Sequence, residues 1–126
     1  MWPFRTKRRG RVLLLDDDAA MQRLVQRLLA REGYRVDVVS KGRDAIDAIA
    51  RDDYVAMLLD LMMPHEGGMT VIRHLRETNP ELLRRVVVLT ATPAPVLKAI
   101  EREVYAVVHK PFTPEQLAET LNRLTA

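Results

Sequence analysis

The sequence predicts an α/β fold in which a parallel sheet of five strands is covered by helices on both faces. Short, nearly continuous apolar runs, Val12 to Leu15, Tyr54 to Leu59, Val86 to Leu89 and Val104 to Val108, alternate with longer segments of helical period. Runs of this kind suit strands buried on both faces, because every parallel crossover must lay a helix against the sheet. Each run also stops at or just before a polar residue able to do chemistry: Asp16 and Asp17, Asp60, Thr90, and Lys110.

The first strand is Val12 to Leu15. Asp18 can then cap a helix whose stripe Met21, Leu24, Val25, Leu28 and Leu29 follows the i, i+3, i+4, i+7, i+8 pattern and ends near Gly33. Tyr34 to Val39 reads as the second strand, and Gly42 to Arg51 as a helix with Ala45, Ile46 and Ile49 inward. Tyr54 to Asp60 is the third strand. Gly67 and Gly68 open a helix that buries Val71, Ile72 and Leu75 and is stopped by Asn79-Pro80. Arg85 to Thr90 is the fourth strand, Val96 to Glu103 the fourth helix and Val104 to His109 the fifth strand. Pro114 to Leu124 closes the series as a helix with Leu117, Leu121 and Leu124 on one face.

A chain of 126 residues fits one domain with its own core, and 48% hydrophobic with 29% charged residues is ordinary globular usage. The absence of cysteine excludes disulfides, thiol catalysis and thiolate metal sites; a cytoplasmic setting is expected. No apolar stretch is long enough for a membrane span, and none forms a signal-peptide core. The net charge of +3 is unevenly placed. Residues 1–11 hold Arg5, Lys7, Arg8, Arg9 and Arg11 and no acid; removing those five from 20 Lys+Arg leaves 15 against 17 Asp+Glu. Residues 1–10 are therefore read as a basic arm, carrying Trp2 and Phe4 and suited to an anionic surface, ahead of a mildly acidic domain over 11–126.

Open α/β sheets place their functional crevice at the carboxyl ends of the strands, where strand order reverses. That rule brings Asp16, Asp17, Asp60, Thr90 and Lys110 together. Three carboxylates in one crevice call for a divalent cation, a hydroxyl and an ammonium call for an anion such as a phosphoryl group, and one acid is a candidate nucleophile. His65, His74 and His109 lack metal-ligand spacing and are expected at the surface, while Met57, Met62 and Met63 are expected to pack in the core.

The strings Val12-Leu-Leu-Leu-Asp-Asp-Asp18, Leu58-Leu-Asp-Leu-Met-Met-Pro64 followed by Gly68, Val88-Leu-Thr-Ala91 and His109-Lys-Pro-Phe112 together resemble the receiver domain of two-component response regulators. The resemblance covers about residues 11–125. It implies a flavodoxin-like, doubly wound sheet in the order 2-1-3-4-5, a fold for which a chemotaxis relative is a standard example. It implies Asp60 as phosphoacceptor, and Asp16, Asp17, Asp60 and the backbone carbonyl of Met62 as ligands of Mg2+. Thr90, Ala91 and Lys110 would surround the phosphoryl group. Met62 and Thr92, two residues after Asp60 and Thr90, would flank the water path and set the lifetime of the aspartyl phosphate. The Lys110-Pro111 peptide would be cis. The implied donor is a histidine kinase or phosphotransfer protein, and output would pass through a partner, since the chain ends one helix after Lys110 with no DNA-binding domain.

Two departures from the family pattern stand out. Val107 occupies the position three before Lys110 where the family often has an aromatic that moves with the threonine; Tyr105 shares its face but lies about 6.6 Å further back. Gly67 replaces a frequent acid. Two other functions compete. A phosphorylation-independent adaptor would not need all five site residues. An aspartate-nucleophile phosphohydrolase of the haloacid dehalogenase type would use Asp16 and Asp18 but expects a hydroxyl residue where Ala20 stands. The chain is thus expected to be a signalling domain rather than an enzyme, its chemistry limited to self-phosphorylation from small donors and autodephosphorylation.

Overall fold

The computed structural model describes residues 8–126, apart from the side chains of Ala94 and Val96. Trp2, Phe4, Arg5 and Lys7 of the basic arm lie outside the described residues. The elements run β1 (Gly10–Leu15), α1 (Ala19–Arg31), β2 (Tyr34–Val39), α2 (Gly42–Arg51), β3 (Ala56–Asp60), α3 (Gly68–Thr78), β4 (Val86–Thr90), α4 (Ala94–Glu101), β5 (Ala106–His109) and α5 (Pro114–Leu124). A 3-10 turn over Pro80–Arg85 separates α3 from β4. All strand pairs are parallel, in the order β2-β1-β3-β4-β5. The reversal of strand order falls at β1 and β3, which therefore carry the crevice.

Alternation along the strands divides the core in two. Leu13, Leu15, Met57, Leu59, Val86 and Val88 face α2, α3 and α4, whereas Val12, Leu14, Ala56, Leu58, Val87 and Leu89 face α1 and α5. β3 and β4 are buried at every position. The helices bury the faces their periods predict, with one exception: Leu24 of α1 is 48% exposed and lines an open groove beside Pro114 and Ala118 of α5, while Val25, Leu28 and Leu29 pack with Leu117 and Leu121. α1 is capped by Asp18, which accepts from the amides of Ala20 and Met21, and α5 by a reciprocal Thr113–Gln116 box.

Several boundaries move. β1 starts at Gly10, inside the expected arm, and the Arg9 amide donates to the Gly33 carbonyl at 2.9 Å, so the fold begins before residue 11. Tyr54 and Val55 precede β3 rather than belonging to it. Val104 and Tyr105 precede β5, with Val104 buried as a plug and Tyr105 42% exposed. Met62 is also no core residue, at 61% exposure, while Met57 is buried and Met63 packs against the α2–α4 face. The Lys110-Pro111 peptide is cis. No helix among the described residues is long and apolar enough to cross a membrane.

At the amino ends of the strands, Arg11 donates to Asp37 at 2.5 Å and lies 5.4 Å from the centre of the Tyr54 ring, and Tyr54 donates to the same Asp37 carboxylate at 2.8 Å. Burial and then the bond to Asp37 push the Tyr54 phenol up to about 12. The folded state therefore favours the neutral phenol. This contribution is complete below the ordinary tyrosine value near 10 and is lost as pH rises from there to about 12. Urea melts should show a fall of about 2–3 kcal/mol across that window, and Tyr54→Phe should flatten that part of the curve. An unchanged slope in Tyr54→Phe would contradict the assignment.

Candidate functional site

The strand ends converge on one crevice. Asp16 follows β1 directly and is fully buried, Asp60 closes β3 and is 4% exposed, and Asp17 stands exposed beside them. One carboxylate oxygen from each lies within 4.8 Å of the others. Lys110, reached one residue after β5, places Nζ 3.1 Å from Asp16 Oδ2 and 3.4 Å from Asp60 Oδ2. Its backbone amide donates to the Thr90 carbonyl at 2.8 Å, which ties the lysine to the end of β4.

Each buried acid is held from both sides. Asp16 Oδ1 accepts the Asp18 amide at 2.9 Å and Asp60 Oδ1 accepts the Met62 amide at 2.9 Å, so both Oδ2 atoms are left facing the ammonium. Burial by itself would lower the Lys110 ammonium, but the charges of Asp16 and Asp60 and their hydrogen bonds outweigh it and hold it above its usual range. The lysine is therefore fully charged at neutral pH. Three carboxylates against one ammonium leave a surplus of negative charge in a pocket of oxygen donors, a group able to hold a metal ion.

The framework depends on close backbone approaches. A Cβ on Gly68 would lie 2.8 Å from the Asp60 carbonyl oxygen, so only glycine lets α3 start this near the acid. Gly42 opens α2 against the loop after Asp60: its amide donates to the Glu66 carbonyl at 2.6 Å, and a Cβ there would lie 2.9 Å from the same oxygen. At Gly67 a Cβ would meet Met63 Cβ at 2.9 Å, so any side chain there would force the loop to shift. Gln22 was not anticipated; its side-chain amide donates to the Asp16 carbonyl at 2.6 Å and to Ser40 Oγ at 3.2 Å, bracing the β1 loop. Nothing in the sequence distinguishes it from other polar residues on α1.

The remaining expected residues are placed as follows. Thr90 ends β4 but is fully buried, and its hydroxyl lies 2.6 Å from Thr92 Oγ1. Thr92, expected beside the water path, is 7% exposed with its side chain turned onto Thr90. Ala91 is exposed, and the Met62 side chain projects to solvent while its backbone is fixed by Asp60. Val107 packs against the α2–α4 face.

The response regulator receiver domain family matches residues 12–122. Response regulator MprA of Mycolicibacterium vanbaalenii is 36% identical over 116 residues, covering 90% of this chain and 49% of that relative. The chain thus spans about half the length of the curated relatives it matches. Response regulator protein TrrA from Thermotoga maritima, solved in complex with Mg2+-BeF, superposes with a TM-score of 0.80 at 25% identity, covering 91% of this chain and 98% of that one. A structure of histidine kinase ThkA in complex with TrrA gives a TM-score of 0.81 at 25% identity over 93% of this chain and 99% of that one. With the sheet order, the crevice and the matched span in agreement, the chain belongs to the response regulator receiver domain family, a signalling family rather than an enzyme family.

Proposed function

We propose that Asp60 accepts a phosphoryl group from the phosphohistidine of a histidine kinase or phosphotransfer protein. The observation that carries this is the buried Asp60 carboxylate, aimed by the Met62 amide and faced by Lys110 beside two further acids. An Asp60 oxygen attacks phosphorus in line; the phosphorus–nitrogen bond breaks and its electron pair leaves on the imidazole. Asp16, Asp17, Asp60 and the Met62 carbonyl are the ligands we assign to Mg2+. When bound, Mg2+ would supply positive charge against the negative charge that the transfer brings together at Asp60. Lys110 then shifts from balancing two carboxylates to neutralising a phosphoryl oxygen, and the Thr90 hydroxyl donates to another. Ala91 leaves room for the donor. We assign residues 9–126 to this unit, with output passing through a partner.

Beryllofluoride, which stands in for the phosphoryl group, tests the assignment. Fluorine NMR should show a bound resonance that requires both Mg2+ and Asp60, lost in Asp60→Asn. Binding that survives Asp60→Asn would overturn it.

The lifetime of the phosphorylated state follows from Met62. Its exposed, apolar side chain stands two residues after Asp60 and neither orients a water nor accepts its proton. Met62→Asn should therefore accelerate autodephosphorylation, and a tenfold change requires only about 1.4 kcal/mol. Decay of the purified phosphorylated protein in Mg2+ measures this; equal or slower decay in Met62→Asn would refute it.

A further inference from the structure

The Thr90 hydroxyl is engaged before any phosphoryl group arrives. Thr90 Oγ1 lies 2.6 Å from Thr92 Oγ1 and accepts the Thr92 amide at 3.0 Å, in a pair that is fully buried at Thr90 and 7% exposed at Thr92. A hydroxyl offers one proton and two lone pairs, so these two bonds hold the oxygen against Thr92 whichever hydroxyl donates. No bond joins it to Asp60 or Lys110 among the described residues. The neighbouring strand supplies no partner: Val107 lies opposite Val88, two pairs short of Thr90, and has no hydrogen-bonding side chain, and His109, opposite Thr90, is exposed and makes no bond to its hydroxyl among the described residues.

The geometry points to Thr92 as a positioning residue that holds the Thr90 hydroxyl off the phosphoryl site in the unphosphorylated protein. This rests on the reading of Asp60 as the phosphoacceptor. Turning Thr90 toward a phosphoryl oxygen breaks the Thr90–Thr92 pair, so part of the gain at Asp60 is offset by that loss. Thr92 also sits two residues before α4, whose cap position is Pro93 with no side-chain capping bond. The pair supplies the partner for Thr90 that Val107 cannot.

Thr92→Val keeps the shape and removes the hydroxyl, and Thr92→Ser restores it. In a beryllofluoride titration with Mg2+, Thr92→Val should bind roughly two- to tenfold tighter than the wild type, the range for losing one net hydrogen bond from the unbound state alone. Thr92→Ser should match the wild type. Equal or weaker binding by Thr92→Val, or tighter binding by both variants, would overturn the proposal. Side-chain coupling constants of Thr90 in the metal-free protein test the pair independently of Asp60: one rotamer in the wild type and averaging in Thr92→Val are expected, and one unchanged rotamer in both contradicts it. If the wild type binds no beryllofluoride while the couplings behave as expected, it is the Asp60 reading that has failed.

Discussion

Lys110→Met should lower folding stability by about 3 kcal/mol in metal-free buffer, at the lower end of the cost of breaking a buried ion pair. Lys110 is the ammonium within hydrogen-bonding distance of both Asp16 and Asp60, whose side chains are 0% and 6% exposed. Methionine fills similar volume and leaves the two acids facing each other and Asp17 without a counter-charge. The lysine side chain is 20% exposed, so entering water offsets part of the loss. A divalent cation held by the three acids would supply the missing charge. Mg2+ at ten times its dissociation constant should stabilise the wild type by about 1.4 kcal/mol, and should stabilise Lys110→Met by more. Urea unfolding with chelator and with millimolar Mg2+ measures both. A loss below about 1 kcal/mol, or a gap between variants that Mg2+ does not narrow, would show that Lys110 is not the counter-charge described here.

The parts of the fold that follow from local rules were legible in the sequence. Each strand is a run of apolar residues because both of its faces are covered, and Asp18, Gly33 and Thr113-Pro114 mark helix ends by their own backbone chemistry. Boundaries failed where burial and strand pairing part company. Tyr54 and Val104 are as apolar and buried as strand residues, yet Tyr54 is held by Asp37 and Val104 closes the end of α4 by bonding to the Ile100 carbonyl. The Pro80–Arg85 turn is too short to show a period. Leu24 fits the stripe of α1 but borders an open groove beside α5, and Met62 continues an apolar run past the end of β3 into a loop.

The candidate site divides along the same line. Asp16, Asp17, Asp60, Thr90 and Lys110 could be named because strand ends in one parallel sheet must meet, so position along the chain stood in for position in space. Side-chain orientation carries no such signal. The Thr90 hydroxyl lies against Thr92, the Asp60 carboxylate is aimed by the Met62 amide, and Gln22 braces the Asp16 carbonyl, all by contacts that depend on rotamers and loop geometry. The Arg11–Asp37–Tyr54 network joins residues 26 apart and 17 apart at the opposite end of the sheet, where the sequence offers only scattered charges.

Assignment of the phosphoryl group to one carboxylate, Asp60, predicts an all-or-none effect. Asp16 is buried and framed much as Asp60 is, by a backbone amide and Lys110, so the choice between them rests on the place of Asp60 at the end of β3, while Asp17 is exposed. Asn at position 60 keeps the shape and the backbone contact but offers no anionic oxygen to attack phosphorus. Intact-mass spectrometry after incubation with acetyl phosphate and Mg2+ is the most direct measurement. One phosphoryl group per wild-type chain is expected, with none in the absence of Mg2+ and none in Asp60→Asn. An unlabelled wild type under conditions that label another receiver, or a labelled Asp60→Asn chain, would contradict the assignment.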